Sequence, residues 1–167
     1  MIKSFIEKKP EIGKDVYISE TAVVIGNVIL EDYVNIWFGS VVRGDMHYIK
    51  IGSKTNIQDN SVIHVTTGIS PTNIGRGVTI GHGAIIHGCT INDNCMIGMG
   101  AIIMDDAQIG EGSLIGAGSL VPPKMHIPPR SLVVGVPGKI VRSVSTDEYE
   151  MILERPQEYI DLASHYI

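Results

Sequence analysis

An aliphatic residue at every sixth position is the feature that most restricts how this chain can fold. Two stretches keep this period without interruption, namely Ile12, Ile18, Val24, Leu30, Ile36 and Val42, and then Ile91, Ile97, Ile103, Ile109, Ile115 and Val121. Between them the period continues in two groups of three, which are Ile51, Ile57 and Ile63, then Ile74, Ile80 and Ile86. A fixed period of this kind predicts a repeat architecture, in which one structural unit stacks on the next along the chain.

A small residue lies four positions after many of the aliphatic residues, and glycine often follows them directly. The small residues are Ala22, Ser40, Ser61, Ala84, Ala101, Ala107 and Ser113. Each hexapeptide is therefore predicted to form a short strand with one aliphatic and one small inward side chain, followed by a corner. A helix does not fit, because a period of six places successive aliphatic residues on opposite sides of a 3.6-residue turn. Since aromatic residues make up only 5% of the chain, the core is expected to be narrow and aliphatic.

This repeat resembles that of the hexapeptide-repeat proteins over roughly residues 10–140. The resemblance implies an all-β solenoid, a left-handed parallel β-helix with three sides that take one hexapeptide each. The aliphatic positions, divided among three sides, predict about six coils. The β-helix is predicted at residues 1–140, and a C-terminal helical segment packed on it at residues 141–167.

The end of the chain is predicted to form the cap that an open solenoid end requires. Four prolines between residues 122 and 129 and the stretch GVPGKIVRSV (residues 135–144) follow the last repeat. Ser145 and Glu148 match a capping box at the start of a helix. Pro156 predicts that this helix breaks near its middle, or that a second helix begins there.

Composition and charge argue against several classes of partner. The formal net charge of −5 comes without a basic stripe, so no nucleic-acid partner is expected. Cys89 and Cys95 form no CxxC pair, which favours free thiols in a reducing compartment. The first residues, MIKSFIEKKPEIG, lack the apolar core of a secretion signal, and no run of about 18 apolar residues occurs. A cytoplasmic protein without membrane contact is expected.

Two histidines are predicted to stack in adjacent coils. His64 follows Ile63 and His87 follows Ile86, and both isoleucines belong to the same side of the predicted prism. Their backbones should lie about 4.8 Å apart, the spacing between neighbouring strands. Arg43 occupies the same slot one coil earlier.

A third histidine, His82, is predicted on the second side of the prism, directly over Asp59 of the previous coil. It therefore points away from His64 and His87 of its own chain, whereas a neighbouring prism can present it to them. A cyclic trimer closes such contacts between unlike surfaces. Three imidazoles that leave a fourth position open are a ligand set of catalytic zinc sites.

Three segments resemble the signature of gamma-class carbonic anhydrases and their close homologues: VVRGDMHYIKIG (residues 41–52), TNIQDNSVIH (residues 55–64) and TIGHGAIIHGC (residues 79–89). The resemblance implies a homotrimer in which His64 and His87 bind a metal from one subunit and His82 binds it from the next. It implies that Gln58 holds a metal-bound water. Its candidate catalytic residues are Gln58, Asp45 and Tyr159, and its interface network consists of Arg43 and Asp59 together with Asp45.

Alternative roles remain open for some of these residues. For Arg43 and Asp59 a structural role, as a solvated turn charge or an ion pair at a trimer interface, is favoured over a catalytic one, whereas for Gln58 the functional role is favoured. Tyr159 is compatible with a helix residue that simply packs on the prism.

Two positions depart from the pattern of this family. The best-known members carry an acidic residue after the matched aspartate and a glutamate three residues past the first histidine, and both assist proton transfer. Here these positions hold Met46 and Thr67, so the chain resembles a shorter subclass in which hydratase activity varies. His47 is a candidate for a replacement proton relay, or else a plain surface histidine.

The resemblance implies a metal-dependent hydratase that converts carbon dioxide and bicarbonate reversibly, with Zn²⁺ as the cofactor and Fe²⁺ or Co²⁺ as alternatives. Two other functions stay open. One is a hexapeptide acyltransferase that uses acyl-coenzyme A, because GVPGK (residues 135–139) resembles the tail of such enzymes. The other is a non-enzymatic trimeric scaffold that keeps the metal for stability.

Overall fold

The structure is a computed structural model that describes residues 1–166. These residues contain twenty short strands and one helix. In chain order the strands are β1 (Ile2–Lys3), β2 (Glu11–Ile12), β3 (Tyr17–Ile18), β4 (Val23–Leu30), β5 (Asn35–Ile36), β6 (Val41–Ile51), β7 (Asn56–Ile57), β8 (Val62–His64), β9 (Thr72–Ile74), β10 (Thr79–Ile80), β11 (Ile85–His87), β12 (Thr90–Ile91), β13 (Met96–Ile97), β14 (Ile102–Ile103), β15 (Gln108–Ile109), β16 (Leu114–Ile115), β17 (Leu120–Val121), β18 (His126–Ile127), β19 (Ser131–Val134) and β20 (Lys139–Ser143). The helix is α1 (Thr146–Ala163).

The strands wind into a parallel β-solenoid of about seven turns, which confirms the predicted fold class. Strand pairing places the sixth-position residues on three faces. The first face stacks Ile12, Leu30, Ile51, Ile74, Ile91, Ile109 and Ile127. The second face stacks Ile18, Ile36, Ile57, Ile80, Ile97, Ile115 and Val133. The third face stacks Val24, Val42, Ile63, Ile86, Ile103 and Val121.

The seventh turn corrects the sequence-based prediction of six. Ile127 and Val133 continue the stacks of the first and second faces beyond the predicted end of the repeat. The prolines that suggested a cap lie outside the strands, at corners of the solenoid. Proline fits there because its fixed φ suits a turn and its missing N–H breaks no strand pairing.

The core is the narrow aliphatic column that the repeat predicts. The small residues at the predicted inward positions are fully buried. The buried serines among them bond to the next coil: the Ser40 hydroxyl donates to the carbonyl of Gln58 at 2.8 Å, and that of Ser61 to the carbonyl of Gly81 at 3.0 Å. A serine can therefore replace an alanine here without leaving a buried hydroxyl unpaired.

An antiparallel hairpin of β19 and β20 ends the parallel stacking. Strand β20 runs across residue 140, where the sequence predicted the boundary between the β-helix and the helical segment, and α1 begins only at Thr146. The last residue of the predicted segment, residue 167, lies outside the described residues.

The helix α1 lies against β5 and β10 of the second face and is continuous through Pro156. The predicted break at Pro156 is therefore wrong. Ile152, Pro156 and Ala163 form the buried side of the helix, so packing on the solenoid outweighs the roughly 3 kcal/mol that an interior proline costs. No helix within residues 1–166 has both the length and the apolar character needed to cross a membrane.

The predicted capping box at the start of α1 is confirmed. The Ser145 hydroxyl accepts from the backbone N–H of Glu148 at 3.2 Å, and the Glu148 carboxylate accepts from the backbone N–H of Ser145 at 2.8 Å. Replacing Ser145 with alanine is expected to lower the free energy of unfolding by about 1 kcal/mol, since one N-terminal amide loses its partner. Urea denaturation measures this, with Ser4→Ala at the opposite end of the chain as control. Equal midpoints for the two variants would contradict the expectation.

Candidate metal centre

His64 and His87 lie side by side on the third face. They are direct neighbours in the pairing of β8 with β11, as the repeat predicted. Nδ1 of His64 lies 3.1 Å from Nε2 of His87. In a tetrahedral zinc site with Zn–N distances of about 2.1 Å, two ligand nitrogens are about 3.4 Å apart. The distance between these two nitrogens is therefore close to that between two ligand nitrogens of one zinc ion.

Each of the three predicted histidine ligands contacts its own aspartate. Asp45 Oδ1 lies 3.0 Å from His64 Nε2, and Asp59 Oδ2 lies 2.8 Å from His82 Nδ1. The third contact joins Asp105 Oδ1 to His87 Nδ1 at 2.5 Å. Carboxylates that hold the outer nitrogen of a ligating imidazole are typical of metal sites, because they orient the ring and raise its basicity.

Asp105 is a site residue that the sequence reasoning missed. It lies eighteen residues after His87, the length of one regular coil, and this spacing is the only signal that could have identified it. Its other oxygen, Oδ2, accepts from the hydroxyl of Thr66 at 2.5 Å.

Two of these carboxyl groups are held in the ionised form. Burial works against ionisation of Asp45, but hydrogen bonds from Arg43 and His64 outweigh it and lower the pKa of Asp45 below its ordinary value. Burial also opposes ionisation of Asp105, while hydrogen bonds from Thr66 and His87 lower its pKa overall. Both groups are thus hydrogen-bond acceptors at neutral pH.

The two carboxylates favour one arrangement of the protons on the stacked histidines. A carboxylate acceptor requires N–H at Nε2 of His64 and at Nδ1 of His87. In the neutral rings, the remaining nitrogens then carry lone pairs, and these are the two atoms that face each other across 3.1 Å. Facing lone pairs repel unless a cation lies between them. The donor set therefore fits a divalent metal ion, with a proton as its competitor.

His82 lies at a different corner of the solenoid. In the part of one chain that the structure describes, no group of three His, Cys, Asp or Glu side chains is arranged to hold a metal. The side chain of His82 is about half exposed. The separation of His82 from the pair agrees with the sequence reasoning, and the contribution of a neighbouring subunit stays a prediction.

Gln58 and Tyr159 line one cavity of about 410 Å³ with His82. Gln58 is buried, and its amide donates to Oδ1 of Asn56 at 3.2 Å, which fixes its orientation. Tyr159 packs edge-on against Trp37, with ring centroids 5.5 Å apart, and burial raises the pKa of its hydroxyl. The structure thus brings Gln58 and Tyr159 to His82, but it does not assign either a catalytic role.

Arg43 forms an ion pair with Asp45 of its own chain, Nη1 to Oδ2 at 2.5 Å. Its side chain remains about two-fifths exposed on the face that carries the histidine pair. This contact lies within one chain, and the role of Arg43, Asp45 and Asp59 at an interface stays a prediction.

Comparisons with known proteins agree with this architecture. The family model described as bacterial transferase hexapeptide (six repeats) matches residues 9–44, 71–101 and 88–123. The chain is 47% identical over 152 residues to a protein of Methanocaldococcus jannaschii named probable carbonic anhydrase, a match that covers 91% of this chain and 95% of that protein. It is 44% identical over 86 residues to protein YrdA of Escherichia coli, covering 48% of this chain and 47%, about half, of YrdA.

A solved structure has the same architecture. The crystal structure of a hexapeptide transferase family protein from Anaplasma phagocytophilum superimposes with a TM-score of 0.96 at 36% identity, covering all of this chain and 98% of the other. The repeat, the stacked histidines and the near full-length relatives together show that the chain belongs to the gamma carbonic anhydrase-like family of hexapeptide-repeat proteins.

Proposed function

We propose that this protein is a metal-dependent hydratase that interconverts carbon dioxide and bicarbonate, acting in the cytoplasm as a homotrimer with metal sites shared between subunits. The observation that carries the proposal is the pair of imidazole nitrogens that face each other across 3.1 Å, each fixed by its own aspartate. The name of the M. jannaschii relative gives the same reaction class.

A neighbouring copy of the chain is the natural source of the third ligand. The outward side chains of the third face are all aliphatic and partly exposed, and strand pairing aligns them as Val23, Val41, Val62, Ile85, Ile102 and Leu120. An apolar strip of this length favours burial against another protein surface. The strip includes the residues before Ile63 and Ile86, so a subunit docked on it approaches the histidine pair and can present its own His82.

The residues around the site fit this reaction. When bound, a divalent ion supplies an activated water at neutral pH. Zn²⁺ suits imidazole ligands, as do Fe²⁺ and Co²⁺. In this proposal Gln58, whose amide is held by Asn56, orients that water, and Tyr159, whose hydroxyl pKa is raised by burial, lines the same cavity. Met96 and Leu114 line the same cavity and offer an apolar wall to carbon dioxide.

Proton transfer is expected to limit the rate. Met46 and Thr67 occupy the two positions at which the resemblance implies acidic residues, and neither a thioether nor an alcohol exchanges protons readily at neutral pH. An external buffer can take over this step, because proton transfer by a positioned acid or base normally contributes strongly to such reactions. We therefore expect a turnover that rises several-fold with the concentration of an imidazole buffer.

The proposal is tested by stopped-flow measurement of carbon dioxide hydration on protein purified without oxygen, with metal content determined on the same sample. Metal-replete protein is expected to exceed the buffer rate, and the His87→Ala variant to match it. A metal-replete protein with no rate above buffer at any buffer concentration would contradict the proposal. If metal then still raised the melting temperature, the protein would be a metal-stabilised scaffold.

A hexapeptide acyltransferase is the second candidate. It is favoured by the matching family model, described as bacterial transferase hexapeptide, and by the A. phagocytophilum structure, described as a hexapeptide transferase family protein. Such an enzyme needs one histidine as a base, whereas here three histidines each have an aspartate partner. Calorimetric binding of acetyl-coenzyme A to chelator-treated protein would favour the acyltransferase.

A further inference from the structure

Asp105 lies at the corner that follows β14, one coil beyond His87. Both of its oxygens are used: Oδ1 accepts from Nδ1 of His87 and Oδ2 from the hydroxyl of Thr66, each at 2.5 Å. Thr66 lies in the loop between β8 and β9 and pairs across it with Ser70. The carboxylate is thus clamped between the imidazole and a neighbouring loop.

Gly88 leaves the space that this carboxylate occupies. A Cβ atom at residue 88 would lie 2.6 Å from Oδ1 of Asp105, closer than such atoms approach, and the backbone there has a φ of +56°. Glycine adopts this backbone conformation without strain, and its lack of a Cβ atom lets the Asp105 carboxylate approach. The close packing of Gly88 against Asp105 is a second observation, beside the hydrogen bonds, that holds the carboxylate next to His87.

We propose that Asp105 is a positioning residue that fixes the Nδ1–H form of His87, so that Nε2 presents its lone pair to a divalent cation shared with Nδ1 of His64. The inference rests on the proposed metal site and adds a residue outside the three segments that resemble the family signature. Asp105 acts through the imidazole and touches neither the metal nor the substrate.

Asp106 provides a matched control. It is the next residue at the same corner, and its Oδ1 accepts from the hydroxyl of Ser70, in the same loop as Thr66, at 2.7 Å. The contacts of Asp106 include no histidine among the described residues. Removing the Asp106 carboxylate therefore loosens the same loop without changing the partner of His87.

The test measures Zn²⁺ affinity by competition with a chromophoric chelator, for the wild-type protein and three variants. Asp105→Ala is expected to bind zinc about 10–100-fold more weakly than wild type, as loss of an outer carboxylate generally does. Asp105→Asn keeps an acceptor oxygen and should recover part of the affinity. Asp106→Ala should stay close to wild type.

A second readout reports the proton position directly. In metal-free protein with ¹⁵N-labelled histidine, the His87 signals should show Nδ1–H in wild type and in Asp106→Ala, and a mixture of both forms in Asp105→Ala. If the Asp105→Ala variant does not fold, the proton position on His87 is compared between wild type and Asp105→Asn instead.

The outcomes separate the two proposals. If wild type binds no zinc, the proposed function fails, and the effect of Asp105 on metal affinity fails with it. If wild type binds zinc but the Asp105 variants bind equally well and keep a single Nδ1–H form, the role of Asp105 alone is overturned. An equal loss in Asp106→Ala and Asp105→Ala would also overturn it, because the effect would then come from the loop.

Discussion

Mixing His64→Ala chains with His82→Ala chains is expected to restore metal binding that neither variant shows alone. The proposed site takes His64 and His87 from one subunit and His82 from the next. In a mixed cyclic trimer, one interface joins the intact pair of a His82→Ala chain to the intact His82 of a His64→Ala chain. Each such mixed trimer should therefore hold roughly a third of the wild-type metal content.

The experiment uses two affinity tags, so that mixed trimers are isolated before their metal content is measured. A mixture of His64→Ala and His87→Ala chains is the matched control. Both substitutions damage the pair that lies on one chain, so no interface of such a trimer holds all three ligands. Mixed trimers of the first kind without metal, or recovery in the control mixture, would rule out the shared arrangement.

Replacing Gly98 with alanine is expected to destabilise the protein by about 3 kcal/mol, or to prevent folding. A Cβ atom there would lie 2.5 Å from the backbone nitrogen of Ala117 in the next coil. The backbones are locked at this spacing, because Gly98 N–H also donates to the carbonyl of Ile115 at 2.7 Å. The clash can be relieved only by moving one coil away from the next, since no flexible side chain is involved.

Urea denaturation compares this variant with Gly68→Ala. Gly68 has a φ of +60° and nothing within 4 Å of an added Cβ, so its substitution carries only the roughly 1 kcal/mol penalty of a left-handed backbone. Gly98→Ala should unfold at clearly lower urea than Gly68→Ala. Similar midpoints would contradict the prediction, because they would show that neighbouring coils move apart at little cost in free energy.

Much of the fold was predictable because the repeat is a local signal. Each hexapeptide forms one strand and one corner, so counting by six assigns the aliphatic residues of an unbroken stretch to their faces. The pairing of Ile103 with Val121 follows from that count alone. The pairing of Ile63 with Ile86 also depends on the irregular join of eleven residues between Ile63 and Ile74. The stacking of His64 on His87 could be predicted once that join was placed, because each histidine directly follows one of these isoleucines.

Two features of the fold escaped this reasoning because they depend on neighbouring coils. The prolines before Ile127 suggested an end to the repeat, but corners accept proline and the stack continues for another turn. Pro156 suggested a break in the helix, but the helix lies on the second face and is held by packing. In both cases the local preference was read correctly, and contact with the solenoid outweighed it.

The sequence by itself determined the three faces, the buried column and the positions of the three histidines, since period and residue type specify these without knowledge of side-chain direction. Only the tertiary structure decided which atoms meet. It joined Asp105 to His87 and Asp45 to His64, and it turned two imidazole nitrogens toward each other at 3.1 Å. The physical reason is that a repeat fixes the spacing of backbones, whereas the direction of a polar side chain is set by hydrogen bonds to residues a full coil away.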